Sequence, residues 1–335
     1  MDIPVVRKGL GADELRPYRV DLGGDVYTRV REAQGFVYDD ALCEVGEQQD
    51  KRETVPLLPH LLNGQPLRLF MPGCALAGYS RELTLAVYEY LREAGEVDGL
   101  SVICCGKVLD FVATPGECAA YAGVVAARLA AHGVTRIVTA CPNCYQAYTA
   151  LAGDGCGGQE GRLSRADASD TSTAPPFSSA TSTSCRIEVL AVSEVLARRG
   201  VRFGPSEATP FTSVCVHDSC PSRTDGVFAH SVRSLFEGVE LREMAHSQTR
   251  ARCCGQGKLL PLGHPEQSKD LANERLAESA ATGAECLVTY CTNCAQVLRG
   301  ASQPSYHYLE LLFGIHIDWD AVTIAWQKAQ RGHRA

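Results

Sequence analysis

Apolar positions along the chain fall into two regular runs separated by a polar stretch. The first run opens after Pro66. Leu67-Arg68-Leu69-Phe70-Met71 reads as a strand, and Tyr79 to Ala94 as an amphipathic helix. Leu100-Ser101-Val102-Ile103 reads as a second strand, Pro115 to His132 as an Ala-rich helix with one apolar side, and Thr135 to Ala140 as a third strand. A further helix is expected from about Asn143. Order resumes with Ile187-Glu188-Val189-Leu190 and a helix over Val192 to Arg199. Strands follow at Thr212 to His217 and Cys286 to Tyr290, and helices at Asp225 to Phe236, Pro265 to Thr282 and Tyr306 to Phe313. Strand and helix alternating at these lengths imply parallel β-α units, so the expected class is α/β.

These patterns suggest a division of the chain. Residues 1–65 are polar, weakly patterned and interrupted by Pro4, Pro17, Pro56 and Pro59; they read as an N-terminal arm whose role the sequence does not declare. Residues 66–152 form a first unit and residues 186–320 a second, with a tail at 321–335. Between the units, residues 153–185 open with Gly155-Cys156-Gly157-Gly158 and continue in Ser, Thr, Asp and Pro. They are too polar to pack and read as a flexible linker.

Composition narrows the function. Of 335 residues, 45% are hydrophobic, enough for two cores. The net charge of −7, the absence of a basic run and an aromatic content of 7% argue against nucleic acid as a partner. The opening Met1-Asp2-Ile3-Pro4-Val5-Val6-Arg7-Lys8 is unlike a secretory leader. The longest apolar stretch, Ala122 to Ala140, is broken by Arg128, His132 and Arg136, so no direct membrane span is expected. The expected location is cytoplasmic, with membrane association only through a partner.

Sixteen cysteines are far more than a core needs, and in a reducing compartment that density points to metal or redox chemistry rather than disulfides. Ten of them form a repeat. Cys74, Cys104-Cys105-Gly106 and Cys141-Pro142-Asn143-Cys144 recur as Cys220, Cys253-Cys254-Gly255 and Cys291-Thr292-Asn293-Cys294, at offsets of 146, 149 and 150 residues. Each group follows a predicted strand or leads into a helix, and ligand sites in open parallel sheets lie at the carboxyl ends of strands. Five thiols per half should therefore converge on one sheet edge. A CxxC supplies two sulfurs to one metal, and the glycine after the cysteine pair permits a tight backbone. Mononuclear zinc wants four ligands and ordinary cubanes also take four thiolates, so five suggests a multi-iron cluster with a bridging thiolate or an unusual shape.

The pattern resembles the CCG cysteine-rich family, which includes the cysteine-rich subunit of heterodisulfide reductase and the cysteine-rich domains of glycolate, lactate and anaerobic glycerol-3-phosphate oxidising systems. The gaps of 29 and 32 residues before the cysteine pairs, and of 34 and 35 residues before the CxxC pairs, fit that family, as do Pro72-Gly73-Cys74 and His217-Asp218-Ser219-Cys220. The resemblance implies two tandem Rossmann-like units related by pseudo-two-fold symmetry. It implies two non-cubane [4Fe-4S] clusters, one on Cys74, Cys104, Cys105, Cys141 and Cys144, the other on Cys220, Cys253, Cys254, Cys291 and Cys294. It implies a ferredoxin-like or flavoprotein partner; a heterodisulfide lies between the two clusters in the reductase, but the insertion and the arm have no counterpart there, so the substrate is not carried over and a small thiol or disulfide is one expectation.

Other residues carry weaker signals. Cys118, Cys215 and Cys286 lie in helix or strand patterns, where free thiols pack as small hydrophobes; Cys43, Cys156 and Cys185 have no assigned role. His217, at a strand end, reads equally as a donor or proton relay beside a cluster and as a backbone-bonded histidine. His307 reads as structural. Lys107 and Lys258, each just after a Cys-Cys-Gly, read either as counter-charges to a cluster or as surface lysines. Neither a dinucleotide fingerprint nor a P-loop is present, so no nucleotide site is expected and electrons must come from another subunit. Three functions remain open: a disulfide reductase-like subunit, an electron-transfer subunit of a flavin-dependent 2-hydroxy-acid or glycerol-3-phosphate dehydrogenase, and a structural zinc protein, which five ligands per half disfavours.

Overall fold

The computed structural model describes residues 66–101, 104–111, 115–131, 133–153, 187–207, 209–257, 260–299 and 303–324. The expected arm, nearly all of the expected linker and most of the tail lie outside these residues, as do Cys43, Cys156, Cys185 and Lys258.

The architecture is α/β with two four-stranded parallel sheets. The first contains β1 (Leu67–Met71), β2 (Gly99–Leu100), β3 (Val134–Thr139) and β4 (Glu188–Ala191), in the order β2-β1-β3-β4. The second contains β5 (Ser213–His217), β6 (Glu240–Leu241), β7 (Cys286–Thr289) and β8 (Ser305–His307), in the order β6-β5-β7-β8. The same order thus recurs in both sheets. In the first, the connections carry α1 (Cys74–Tyr79), α2 (Arg81–Glu93), α3 (Pro115–Ala131) and α4 (Pro142–Gly153), and α5 (Val192–Arg198) follows β4. In the second they carry α6 (Val227–Leu235), α7 (Leu260–Gly263), α8 (Pro265–Ala281) and α9 (Thr292–Val297), and α10 (Tyr308–Phe313) follows β8.

Alternation along the strands sends side chains into different cores, because successive Cβ atoms point to opposite faces. Leu69, Met71 and Ile137 join a cluster with Val125 and Leu129 of α3 and with Cys144 and Tyr148 of α4. Cys215 and Leu287 join Ala272, Leu298, Cys254 and Cys294 on the matching face of the second sheet. The intervening residues Phe70, Val138 and Leu190, with Val214, Val216 and Val288, belong to one larger core that both sheets share. Burial on both faces explains the apolar runs Leu69-Phe70-Met71, Ile137-Val138 and Val214-Cys215-Val216.

Four expectations change. The helix expected from Tyr79 begins at Arg81, because the Ser80 Oγ accepts the Leu83 N–H at 3.2 Å and caps it; Tyr79 closes the separate helix α1. The helix expected from Tyr306 begins at Tyr308, where the Glu310 carboxylate accepts the His307 N–H at 2.7 Å, and Ser305–His307 is an edge strand. The two-residue strand β6 was not anticipated; two residues cannot display a period. Finally, β4 lies beyond residue 186, where the second unit was expected to begin, yet it pairs with β3 and completes the first sheet.

Candidate metal centres

All ten repeat cysteines lie in segments that follow the carboxyl ends of β1, β2, β3, β5, β6 and β7. Two details hold the CxxC turns the same way in both halves. The Cys141 N–H donates to Thr139 Oγ1 at 3.4 Å, and the Cys291 N–H donates to Thr289 Oγ1 at 3.4 Å.

In the first group, Cys105 hydrogen-bonds with Cys104 and Cys144, and Cys144 with Cys141. Hydrogen bonding among these thiols, together with burial, holds Cys105 and Cys144 well above the ordinary thiol range. The Gly106 N–H donates to Cys104 Sγ at 3.4 Å. Gly73, at φ +85°, brings the chain so close to the CxxC that an added Cβ would stand 2.7 Å from Cys141 Cβ and 3.4 Å from Cys144 Sγ. Cys74, the next residue, opens α1 beside them. Tyr121 donates to the Cys104 carbonyl at 3.0 Å and Tyr148 is buried against Cys144, so the group has an aromatic back wall.

The second group repeats this arrangement. Cys254 Sγ lies 3.1 Å from Cys294 Sγ, and the Gly255 N–H donates to Cys253 Sγ at 3.3 Å. Cys253 is drawn down to about 2, first by hydrogen bonds from the Cys220 and Cys254 thiols and then by the Gly255 and Gly257 N–H groups; Cys220 and Cys254 are pushed up in turn. Cys291 is drawn down to about 7, chiefly by Cys294. His217 is 2% exposed, and its ring joins Cys254 and Cys294 in a set whose donor atoms all lie within 4.8 Å of one another. Burial draws its imidazole down to about 4.

A buried carboxylate ties this second group together. Asp218, 1% exposed, accepts two hydrogen bonds from Arg233 at 2.9 and 2.8 Å, one from the Tyr290 hydroxyl at 3.1 Å and one from the Gln248 N–H at 2.6 Å. Those contacts reach the segments leading to Cys220, Cys253 and Cys291.

The two groups lie near one another. Helix α9 packs against α1, and α4 packs against the turn Cys220–Arg223. Tyr79 Oη lies 2.8 Å from Gln296 Oε1, to which Gln256 Nε2 also donates at 3.0 Å. Burial raises the Tyr79 phenol well above its ordinary value, and Cys74 of one group and Cys291 of the other both add to that.

A family model for the CCG cysteine-rich domain matches the chain twice, over residues 69–147 and 214–299. The chain belongs to the CCG cysteine-rich family. Over 95 residues it is 32% identical to a protein of Chromohalobacter salexigens named "Probable membrane-anchored ferredoxin"; that stretch is 28% of this chain and 14% of the relative. A solved structure, a hypothetical protein from Helicobacter pylori, matches in fold with a TM-score of 0.51 at 8% identity, over 93% of this chain and 58% of that one. The chain therefore spans less than two thirds of either protein.

Both CCG glycines are explained by their surroundings. Gly106 has φ +76° and an added Cβ would stand 2.5 Å from the Tyr121 ring; Gly255 has φ +89° and its Cβ would collide with the Ser268 carbonyl. The thirteen described cysteines form no disulfide with one another. Several sulfurs gathered in each group, with a backbone N–H aimed at one of them, suit a soft, sulfur-bound centre such as an iron–sulfur cluster. Outside the groups, Cys215 and Cys286 are fully buried core residues, and Cys118 is half-buried on α3. Lys107 pairs with Asp110 at 2.8 Å on the surface. His307 is buried where β8 ends and α10 begins, beside Thr289 of β7. Sequence reasoning missed Asp218, Arg233, Tyr79, Gln146 and Gln296. The recurrence of Gln two residues after each CxxC was a readable signal; the partners of Asp218 were not, since they come from distant segments.

Proposed function

We propose that this CCG protein holds two iron–sulfur clusters, one on each group of five cysteines, and works as the redox subunit of a larger electron-transfer assembly. The observation that carries this reading is the gathering of the thiols of Cys104, Cys105, Cys141 and Cys144 in one half and of Cys220, Cys253, Cys254, Cys291 and Cys294 in the other, with Tyr79 and Gln296 between the groups. Clusters bound there supply one-electron storage and transfer. The protein's own part is to hold the sulfurs, to stabilise their charge through the Gly106 and Gly255 N–H groups, and to exclude water with Tyr79, Tyr121 and Tyr148.

In the finer reading, the clusters are non-cubane [4Fe-4S] centres and the two halves are related by a pseudo-two-fold axis. A thiol or disulfide reacts between the halves, as in heterodisulfide reductase. The repeated strand order and the crossed packing of α4 and α9 support the symmetry. The partner would be a ferredoxin-like or flavoprotein subunit. A second reading, an electron conduit for a flavin dehydrogenase, is favoured by the relative named a ferredoxin, whose printed name also fits docking at a membrane through a partner. No described helix is long and apolar enough to cross a membrane.

Protein purified without air should carry about eight irons with matching sulfide. Stoichiometric zinc in place of iron would sink the proposal. Adding disulfides to the reduced protein separates the two readings: a perturbed cluster spectrum supports disulfide chemistry, and an unperturbed one supports the conduit.

A further inference from the structure

Strand β5 ends on His217, three residues before Cys220. The side chain is 2% exposed, and Nε2 is buried without a hydrogen-bond partner. A buried ring nitrogen left unbonded is costly, and such a group calls for a partner that the polypeptide does not supply. The surrounding atoms indicate its chemistry. A nitrogen of the ring and the sulfurs of Cys254 and Cys294 lie within 4.8 Å of one another. A nitrogen and a sulfur on one metal stand at most about 4.4 Å apart, given bonds near 2.1 and 2.3 Å. The three donors thus lie within about 0.4 Å of the span that one metal ion bridges.

Among the described residues, no histidine stands at the matching place in the first group. Three residues before Cys74 stands Met71, which ends β1 as His217 ends β5. Met71 is 1% exposed and packs with Leu69 and Ile137 in an apolar cluster. The two halves repeat their cysteines but not this position.

We propose that His217 is a sixth donor of the second site, binding metal through a ring nitrogen alongside Cys254 and Cys294. The second centre is then a mixed nitrogen–sulfur centre, while the first is held by sulfur alone. This rests on the iron–sulfur reading above. A neutral nitrogen donor adds no negative charge, and imidazole ligation raises the potential of iron–sulfur centres relative to all-thiolate ones. The second centre is accordingly the one where an electron settles.

The test is pulsed EPR on the full chain, purified without air and poised so that each centre in turn is paramagnetic, with and without 15N-histidine. The expected result is a strong, directly bonded nitrogen coupling that changes with the isotope. It should persist in Cys104→Ser, which removes only the first centre, and vanish in His217→Met, which installs the residue of the first half, and in His217→Gln. Iron bound at the second group with only weak nitrogen coupling, or none, overturns this inference and leaves the iron–sulfur reading standing. A chain that binds no iron overturns both. The isotope measurement on the unaltered protein decides the matter even if a His217 variant fails to fold.

Discussion

Gln146 and Gln296 hold the same place in the two halves, two residues past Cys144 and Cys294, and each hydrogen-bonds across to the other half. Gln146 Nε2 donates to the carbonyl of Pro221, the residue after Cys220, at 2.5 Å. Gln296 Oε1 is met by the Tyr79 hydroxyl, from the helix that Cys74 opens, at 2.8 Å. Each CxxC helix is thereby tied to the lone-cysteine turn of the opposite half. The bonds are partly buried and neutral, so each should contribute about 0.5–1.5 kcal/mol. Tyr79→Phe and Gln146→Ala are each expected to lower unfolding stability within that range. Chemical denaturation checks the loss, and since the two ties share no partner the double variant should lose close to the sum.

Asp218 is the more demanding contact. It is buried and bonded to Arg233, Tyr290 and the Gln248 N–H, and Arg233 is itself only 12% exposed. Arg233 keeps Glu243 at 2.7 Å as a second carboxylate partner, but losing Asp218 strands the Tyr290 hydroxyl and the Gln248 N–H, at about 1–3 kcal/mol for each stranded group. Asp218→Ala should therefore cost stability of that order, and Asp218→Asn somewhat less. Because the contacts span the three segments carrying the second group, iron analysis of Asp218→Asn should show about four irons lost of about eight, with the first centre's spectrum retained. Equal loss from both centres would show that Asp218 acts on the whole fold.

The two cysteine-rich domains were legible because the repeat of C-C-G with C-x-x-C is written in local spacing. Long, strongly patterned segments such as α8 and β3 were legible for the same reason. The short edge strands β6 and β8 were not, since two or three residues cannot display a period. Nor was the membership of β4 in the first sheet, a pairing with β3 across a long stretch of intervening chain. Asp218 stands in the sequence as one member of the run His217-Asp218-Ser219-Cys220, with nothing there to give it a role of its own. Its importance comes from Arg233, Gln248 and Tyr290, which only the folded chain brings together.

Stability at acid pH should depend on Asp98. Burial alone would raise its carboxyl, but the Arg68 side chain and backbone N–H, each bonded to Oδ2 at 2.9 Å, outweigh this and hold it below its ordinary value of 3.8. A carboxyl depressed in the folded state stabilises the fold above its unfolded pKa, and that contribution is lost as pH falls through the folded value. The stability difference between the native chain and Asp98→Asn should thus be full above about pH 5 and shrink steadily toward more acid conditions. Denaturation midpoints measured from neutral to acid pH test this. A difference that does not vary with pH would assign the contact to packing.

The two CCG glycines should differ in how much they tolerate. Both have positive φ, where a side chain costs about 1–2 kcal/mol. At Gly106 the added Cβ meets the ring of Tyr121, a side chain that can shift. At Gly255 it meets the Ser268 carbonyl, in the backbone of α8, which cannot move without displacing the helix. Overpacking against a rigid neighbour costs about 1–3 kcal/mol more. Gly255→Ala should therefore destabilise the chain more than Gly106→Ala. It should also disturb the second centre first, because the Gly255 N–H donates to Cys253 Sγ at 3.3 Å and cannot keep that direction if the turn opens. Unfolding midpoints for the two variants, read beside the spectra of each centre, provide the comparison. If Gly106→Ala proved the costlier change, the backbone of α8 would be the more yielding neighbour, and the role assigned to the Ser268 carbonyl would fail.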